Sequence, residues 1–176
     1  MEAMKTIFPA LPAHFGIPIV MVQHVSPLSD SQWISLLNQN CRLELREANE
    51  KEEITPGNIY LAPPNYHLLV ERNHSFSLTI DARVNYARPA IDVLFETAAV
   101  AYEEELVGVV LTGSNHDGAQ GLKKIKGNGG LTIVQDPKTA ASAFMPQAAI
   151  DTVAPDHVLP LEKIIELLIE LDRKTI

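Results

Sequence analysis

The sequence predicts an α/β fold of three layers, α/β/α, built on a mostly parallel, doubly wound sheet with an antiparallel hairpin. Three observations predict it. Segments 17–23 and 106–111 are apolar on both faces, as parallel strands covered on both sides are. Segments with helical spacing alternate with strand-like ones. Residues 67–71 and 75–81 flank the short turn Arg72-Asn73-His74, the arrangement of a hairpin. With 176 residues, no internal repeat and no linker-like stretch, the chain reads as one domain, 1–176.

The elements follow in order. Met4, Ile7, Phe8 and Leu11 share one helical face, and Pro12 and Gly16 end that helix. After the strand 17–23 comes a helix over 30–39, with Asp30 or Ser29 as its cap. Residues 42–46 alternate strictly, and 58–62 form an apolar run closed by Pro63-Pro64. Beyond the hairpin, Ile91, Leu94, Phe95, Ala98, Ala101 and Tyr102 recur at i, i+3, i+4 spacing, with Asp92 in the first turn. Then come strand 106–111, helix 118–126, a turn over 127–130 and strand 131–135. Pro146 suits the first turn of a short helix reaching Ile150. A last helix over 161–172 aligns Leu161, Ile164, Ile165 and Leu168.

Composition excludes several classes. A net charge of −8 argues against nucleic acid, whose phosphates need a basic face. Lys123, Lys124 and Lys126 read as the solvated face of a helix. Apolar runs fall far short of the roughly 20 residues of a membrane helix, and Glu2 precedes no signal-like stretch, so membrane insertion is not expected. One cysteine, Cys41, precludes an internal disulfide framework and fits a reducing cytoplasm; it reads as a small core residue. The glycines of 127–130 precede a strand, whereas a phosphate cradle follows one, so they read as a helix end.

Two polar residues stand at strand ends, where open α/β sheets place their sites. His24 closes the first apolar run; Asp117 follows the second after Thr112-Gly113-Ser114-Asn115-His116. His and Asp pair as base and orienter in hydrolytic triads. Each also has a plainer explanation: a hydrogen-bonding His, and an Asp capping helix 118–126. Ser26, Ser29, Ser31 and Ser114 lack the glycine-rich strand-to-helix elbow of a nucleophile and read as turn or cap residues. His116 reads as a rim residue, and His67 and His74 as surface or packing residues of the hairpin. No ligand pair has helical i, i+4 spacing and no cysteine supports one, so no metal site and no cofactor are expected.

Gln23-His24-Val25-Ser26-Pro27 and the segment from Leu111 to Ala119 resemble the two hallmark segments of the chemotaxis protein-glutamate methylesterase (CheB) catalytic domain. Three further stretches match in order: 57–64 with His67 in the following hairpin, 88–95, and 135–137 leading to 143–149. The resemblance spans nearly the whole chain. It implies hydrolysis of glutamate methyl esters on chemoreceptors by a Ser-His-Asp triad, with His24 as general base and Asp117 as its orienter. It also implies an oxyanion donor at the Ser114 backbone N–H, where the family usually has Met. The family's serine lies in a glycine-rich turn after a central strand, one helix before the His-bearing strand. Residues 2–15 fill that interval, which puts the serine just ahead of Met1 and leaves two strand edges unpaired, inviting self-association. The family's receiver domain is not in these residues. Residues 1–176 by themselves are therefore expected to be inactive. A competing reading is a non-catalytic module that has lost the nucleophile and keeps a receptor- or partner-binding surface.

Overall fold

The computed structural model describes residues 2–24 and 32–175. The chain forms α1 (Glu2–Ala10), β1 (Ile19–Met21), α2 (Gln32–Asn38), β2 (Glu44–Glu47), β3 (Asn58–Leu61), β4 (His67–Val70) and β5 (Phe76–Thr79). These are followed by α3 (Ile91–Tyr102), β6 (Val107–Val110), α4 (Ala119–Gly127), β7 (Leu131–Gln135), α5 (Phe144–Thr152), β8 (His157–Leu159) and α6 (Leu161–Thr175). The three-layer α/β/α reading holds. The proposed caps Asp30 and Ser29 lie outside the described residues, as do Ser26 and Ser31.

The strands make two parallel three-stranded sheets, ordered β1-β3-β2 and β6-β7-β8, and one antiparallel pair, β4-β5. β3 is the centre of the first sheet because Ile59, Tyr60 and Leu61 are apolar in succession and buried on both faces. β1 is equally apolar but only half-buried. It pairs with β3 on one side, and β6 pairs with β7 on one side; among the described residues the other edge of each carries no strand.

Strand alternation sorts side chains into two faces. Ile19 and Met21 of β1 pack with Leu45, Ile59 and α1 (Met4, Ile7, Phe8), and Leu168 of α6 joins them. Val20 and Val22 point the other way, onto Tyr60, Leu68, Phe76 and Leu94 of α3. A third cluster joins Val110, Leu122, Val134 and Met145 across α4, α5 and the second sheet. Leu111, just past β6, packs into the first cluster, so the two sheets share a core. α6 is tied to the entrance of β1 by buried Asp172, whose Oδ1 accepts the Gly16 and Ile17 N–H groups at 2.7 and 3.1 Å.

β8 has no counterpart in the sequence reading. It is three residues long and its Val158 faces solvent, so it offers neither an apolar run nor a full alternation. Cys41 packs half-buried against the first cluster, as expected, and burial pushes its thiol up. None of the described helices is long and apolar enough to cross a membrane.

Candidate active site

β1 ends at Met21, and Val22 and Gln23 carry the chain to His24. β6 ends at Val110, and the loop 111–116 carries it to Asp117. The two residues, 93 apart in sequence, meet: His24 Nε2 lies 2.8 Å from Asp117 Oδ2. The His24 side chain is 27% exposed and that of Asp117 0%, so the pair has a wet end and a dry end.

Asp117 takes no part in capping its own helix, as its plainer reading had it. Gly118 starts α4 in the left-handed region, φ 94°, and a Cβ there would stand 2.9 Å from Ile91 Cγ2. The Asp117 carboxylate turns instead to the start of α3. The Ile91 N–H donates to Oδ2 at 2.6 Å and the Asp92 N–H to Oδ1 at 3.0 Å. Burial pushes this carboxyl up. The bond from His24 and the two N–H groups of α3 outweigh burial and hold it below its ordinary value. Asp117 is thus an anion on the imidazole.

That anion fixes the ring. Nε2 carries the proton donated to Asp117, which leaves the Nδ1 lone pair free to accept. Asn115 Nδ2 donates to Nδ1 at 3.3 Å, while Asn115 Oδ1 accepts the Asp117 N–H at 3.0 Å. Nδ1 is therefore the basic nitrogen of the ring, with the Asn115 amide beside it.

The loop between β6 and Asp117 is clamped. Gln135, buried at the end of β7, accepts the Thr112 N–H at 2.9 Å. Ser142 donates from its N–H to Thr112 Oγ1 and from its hydroxyl to the Gly113 carbonyl, both at 2.8 Å. The Met145 N–H also reaches the Gly113 carbonyl, at 3.0 Å. Gly113 is required here because a Cβ would run into Met145 Sδ. Ser114 is exposed at the top of this clamp, and its hydroxyl donates to Ser142 Oγ at 3.3 Å rather than to His24.

Other candidates fall away from the pair. His116 is exposed and leans on Phe144, with ring centroids 6.0 Å apart. His67 is buried and bonds the Ala82 carbonyl; His74 stacks on Tyr102. Lys123 and Lys124 are solvated, and Lys126 bonds Asp156. Among the described residues, no three His, Cys, Asp or Glu side chains stand close enough to hold a metal ion.

Sequence reasoning missed Asn115 and Asn85. Asn115 stands two residues before Asp117, the spacing of an Asx turn, which is a usable signal. Asn85 Nδ2 lies 2.9 Å from Asp92 Oδ2 and 3.4 Å from Asp117 Oδ1. Only the tertiary approach of its turn to α3 and Asp117 reveals it.

Comparison with known proteins adds four findings. Residues 1–168 match the family model described as CheB methylesterase. A Leptospira interrogans relative named for protein-glutamate methylesterase and protein-glutamine glutaminase is 58% identical over 99% of this chain and 91% of its own. A Thermotoga maritima protein-glutamate methylesterase/protein-glutamine glutaminase is 37% identical over 97% of this chain, which spans only 50% of that relative. The crystal structure of the Thermotoga maritima CheB methylesterase catalytic domain superposes with a TM-score of 0.91 and 36% identity, covering 97% of this chain and 92% of that one.

Proposed function

The chain belongs to the CheB methylesterase family, and from that premise we propose that it hydrolyses glutamate methyl esters on chemoreceptors through a Ser-His-Asp triad. His24 is the general base, Asp117 its orienter, and the Ser114 backbone N–H an oxyanion donor. The serine comes from residues preceding Met1. The observation that carries this reading is the 2.8 Å bond between His24 and Asp117. It joins the carboxyl ends of two strands that each have one free edge among the described residues. A further parallel strand laid along those edges would end beside His24 and hand its following turn to Nδ1.

The His24–Asp117 pair supports the following reaction. The serine hydroxyl gives its proton to His24 Nδ1 as its oxygen attacks the ester γ-carbonyl. Asp117 stabilises the imidazolium that forms, since a second proton on the ring leaves the Nε2–H bond intact. Negative charge on the former carbonyl oxygen is met by the Ser114 N–H, held rigid by the Thr112–Ser142 clamp. As the tetrahedral intermediate collapses, His24 returns its proton to the departing methoxide and methanol leaves. Water then attacks the acyl-enzyme by the same steps, releasing the glutamate carboxylate and the serine. A γ-amide presents the same carbonyl, so the chemistry extends to glutamine.

A first test uses residues 1–176 alone. Methanol release from a methylated chemoreceptor should not exceed that of His24→Ala. Turnover that depends on His24 in these residues would overturn the assignment of the serine to a preceding strand. The codons before Met1 give a second check: an in-frame strand followed by Gly-x-Ser-x-Gly supports the reading, and an immediate stop codon sinks it. Strand edges left open also favour association of this polypeptide with itself.

A further inference from the structure

Behind the His24–Asp117 pair lies a second carboxylate. Asp92, 5% exposed, sits in the first turn of α3. Its Oδ1 accepts the Gly121 N–H from α4 at 2.7 Å. Its Oδ2 accepts Asn85 Nδ2 at 2.9 Å, and the same nitrogen lies 3.4 Å from Asp117 Oδ1. One amide group, with two hydrogens, therefore stands between two buried carboxylates. The orientation is forced by chemistry, because the amide oxygen in that place would face two acceptors.

The backbone is built to present this amide. Val84 and Ala87 exchange both N–H···O bonds, at 3.1 and 2.8 Å, closing a two-residue turn. Asn85 and Tyr86 both have positive φ, 50° and 63°, as such turns require. Asn tolerates that conformation better than most residues. The base of the turn is pinned by Arg88 Nη1, which donates to the Ile80 and Asp81 carbonyls at 2.6 and 3.0 Å.

We propose that Asn85 is a positioning residue of the active site: its amide bridges Asp92 and Asp117 and keeps their mutual repulsion from turning Asp117 off His24. Like charges in a dry site repel strongly unless a donor is shared between them. Burial, with the charge of Asp117 adding to it, pushes the Asp92 carboxyl up against the pull of the Gly121 N–H, consistent with the two groups competing. Without the amide, Oδ1 of Asp117 loses a donor on the side facing Asp92. The carboxylate then swings, loosening its bonds to the Ile91 and Asp92 N–H groups and to Nε2.

This inference rests on His24 and Asp117 acting together, but its test reads hydrogen bonds and no ester hydrolysis, so either can fail without the other. The test compares Asn85→Gly with the double variant Asn85→Gly, Asp92→Asn in the whole chain by NMR. Glycine keeps the positive φ at no cost and removes only the amide. Asn85→Gly should lose the downfield Nε2–H proton of His24 and exchange the Ile91 and Asp92 amides about tenfold faster. The double variant, with the second charge gone, should restore both. A resonance and exchange rates unchanged in Asn85→Gly overturn the proposal. So does a double variant no better than the single one, which is what a purely turn-holding Asn85 gives. If Asn85→Gly does not fold, recovery of folding in the double variant supports the bridge, and its failure to recover refutes it.

Discussion

Replacing Asp117 by alanine removes the acceptor at the junction of three elements, and the cost can be worked from its partners. The Ile91 and Asp92 N–H groups begin α3, so the substitution strips that helix of its cap, worth about 1 kcal/mol. It leaves at least one buried N–H without an acceptor, at a further 1–3 kcal/mol or so. The bond from partly exposed His24 adds roughly 0.5–1 kcal/mol after screening. Relief from burying a charge returns part of this, leaving a net loss of about 3 kcal/mol. At a slope of about 2 kcal/mol per molar urea, the midpoint at pH 7 should fall by about 1.5 M. The pH dependence has a definite sign. Asp117 is held below its ordinary 3.8, so its stabilisation is complete above that value and lost as pH falls through the folded-state value. The gap between wild type and variant should therefore narrow as pH falls below about 4. Urea unfolding followed by circular dichroism measures both. A midpoint shift under about 0.5 M at pH 7, or a gap that fails to narrow below about pH 4, refutes this account of Asp117.

Gly121→Ala should loosen the α3–α4 contact, because a Cβ there stands 2.5 Å from Phe95 Cβ and 3.1 Å from the Asp92 Cα. An overpacking cost of about 2 kcal/mol lowers Tm by roughly 4–8 °C by calorimetry; an unchanged Tm would show that the helices separate freely. In a serine-bearing form, Ser114→Ala should leave ester turnover near wild type. Ser114→Pro, lacking the N–H, should cut kcat by about 100-fold or more. Equal rates for the two would remove Ser114 as oxyanion donor. Light scattering on residues 1–176 should show dimers or larger species, since among the described residues β1 and β6 each have an edge without a strand; a stable monomer contradicts this.

The elements that bury a continuous apolar face were legible in sequence. The spacing of Ile91, Leu94 and Ala98 gave α3, and Ile59-Tyr60-Leu61 gave the buried β3. β8 was not legible, because three residues with one side chain in solvent carry no period. β1 reads as doubly buried yet is only half-buried; among the described residues one of its edges carries no strand. Within the site, His24 and Asp117 stood out as polar residues ending apolar runs. Their supports did not. Asn85, Asn115 and the α3 N–H groups act through contacts between segments remote in sequence, or through the backbone, which every residue shares. The helix that Asp117 caps is likewise invisible locally. The sequence offers α4 directly after it, while the fold brings α3 to its carboxylate.

The most direct test is methanol release from a methylated chemoreceptor fragment by this chain preceded by a strand and Gly-x-Ser-x-Gly turn, assayed beside His24→Ala and Asp117→Asn. The expected result is turnover that falls roughly a thousandfold or more in each variant while both remain folded. Turnover that persists in His24→Ala would contradict the account, because the base would then lie elsewhere.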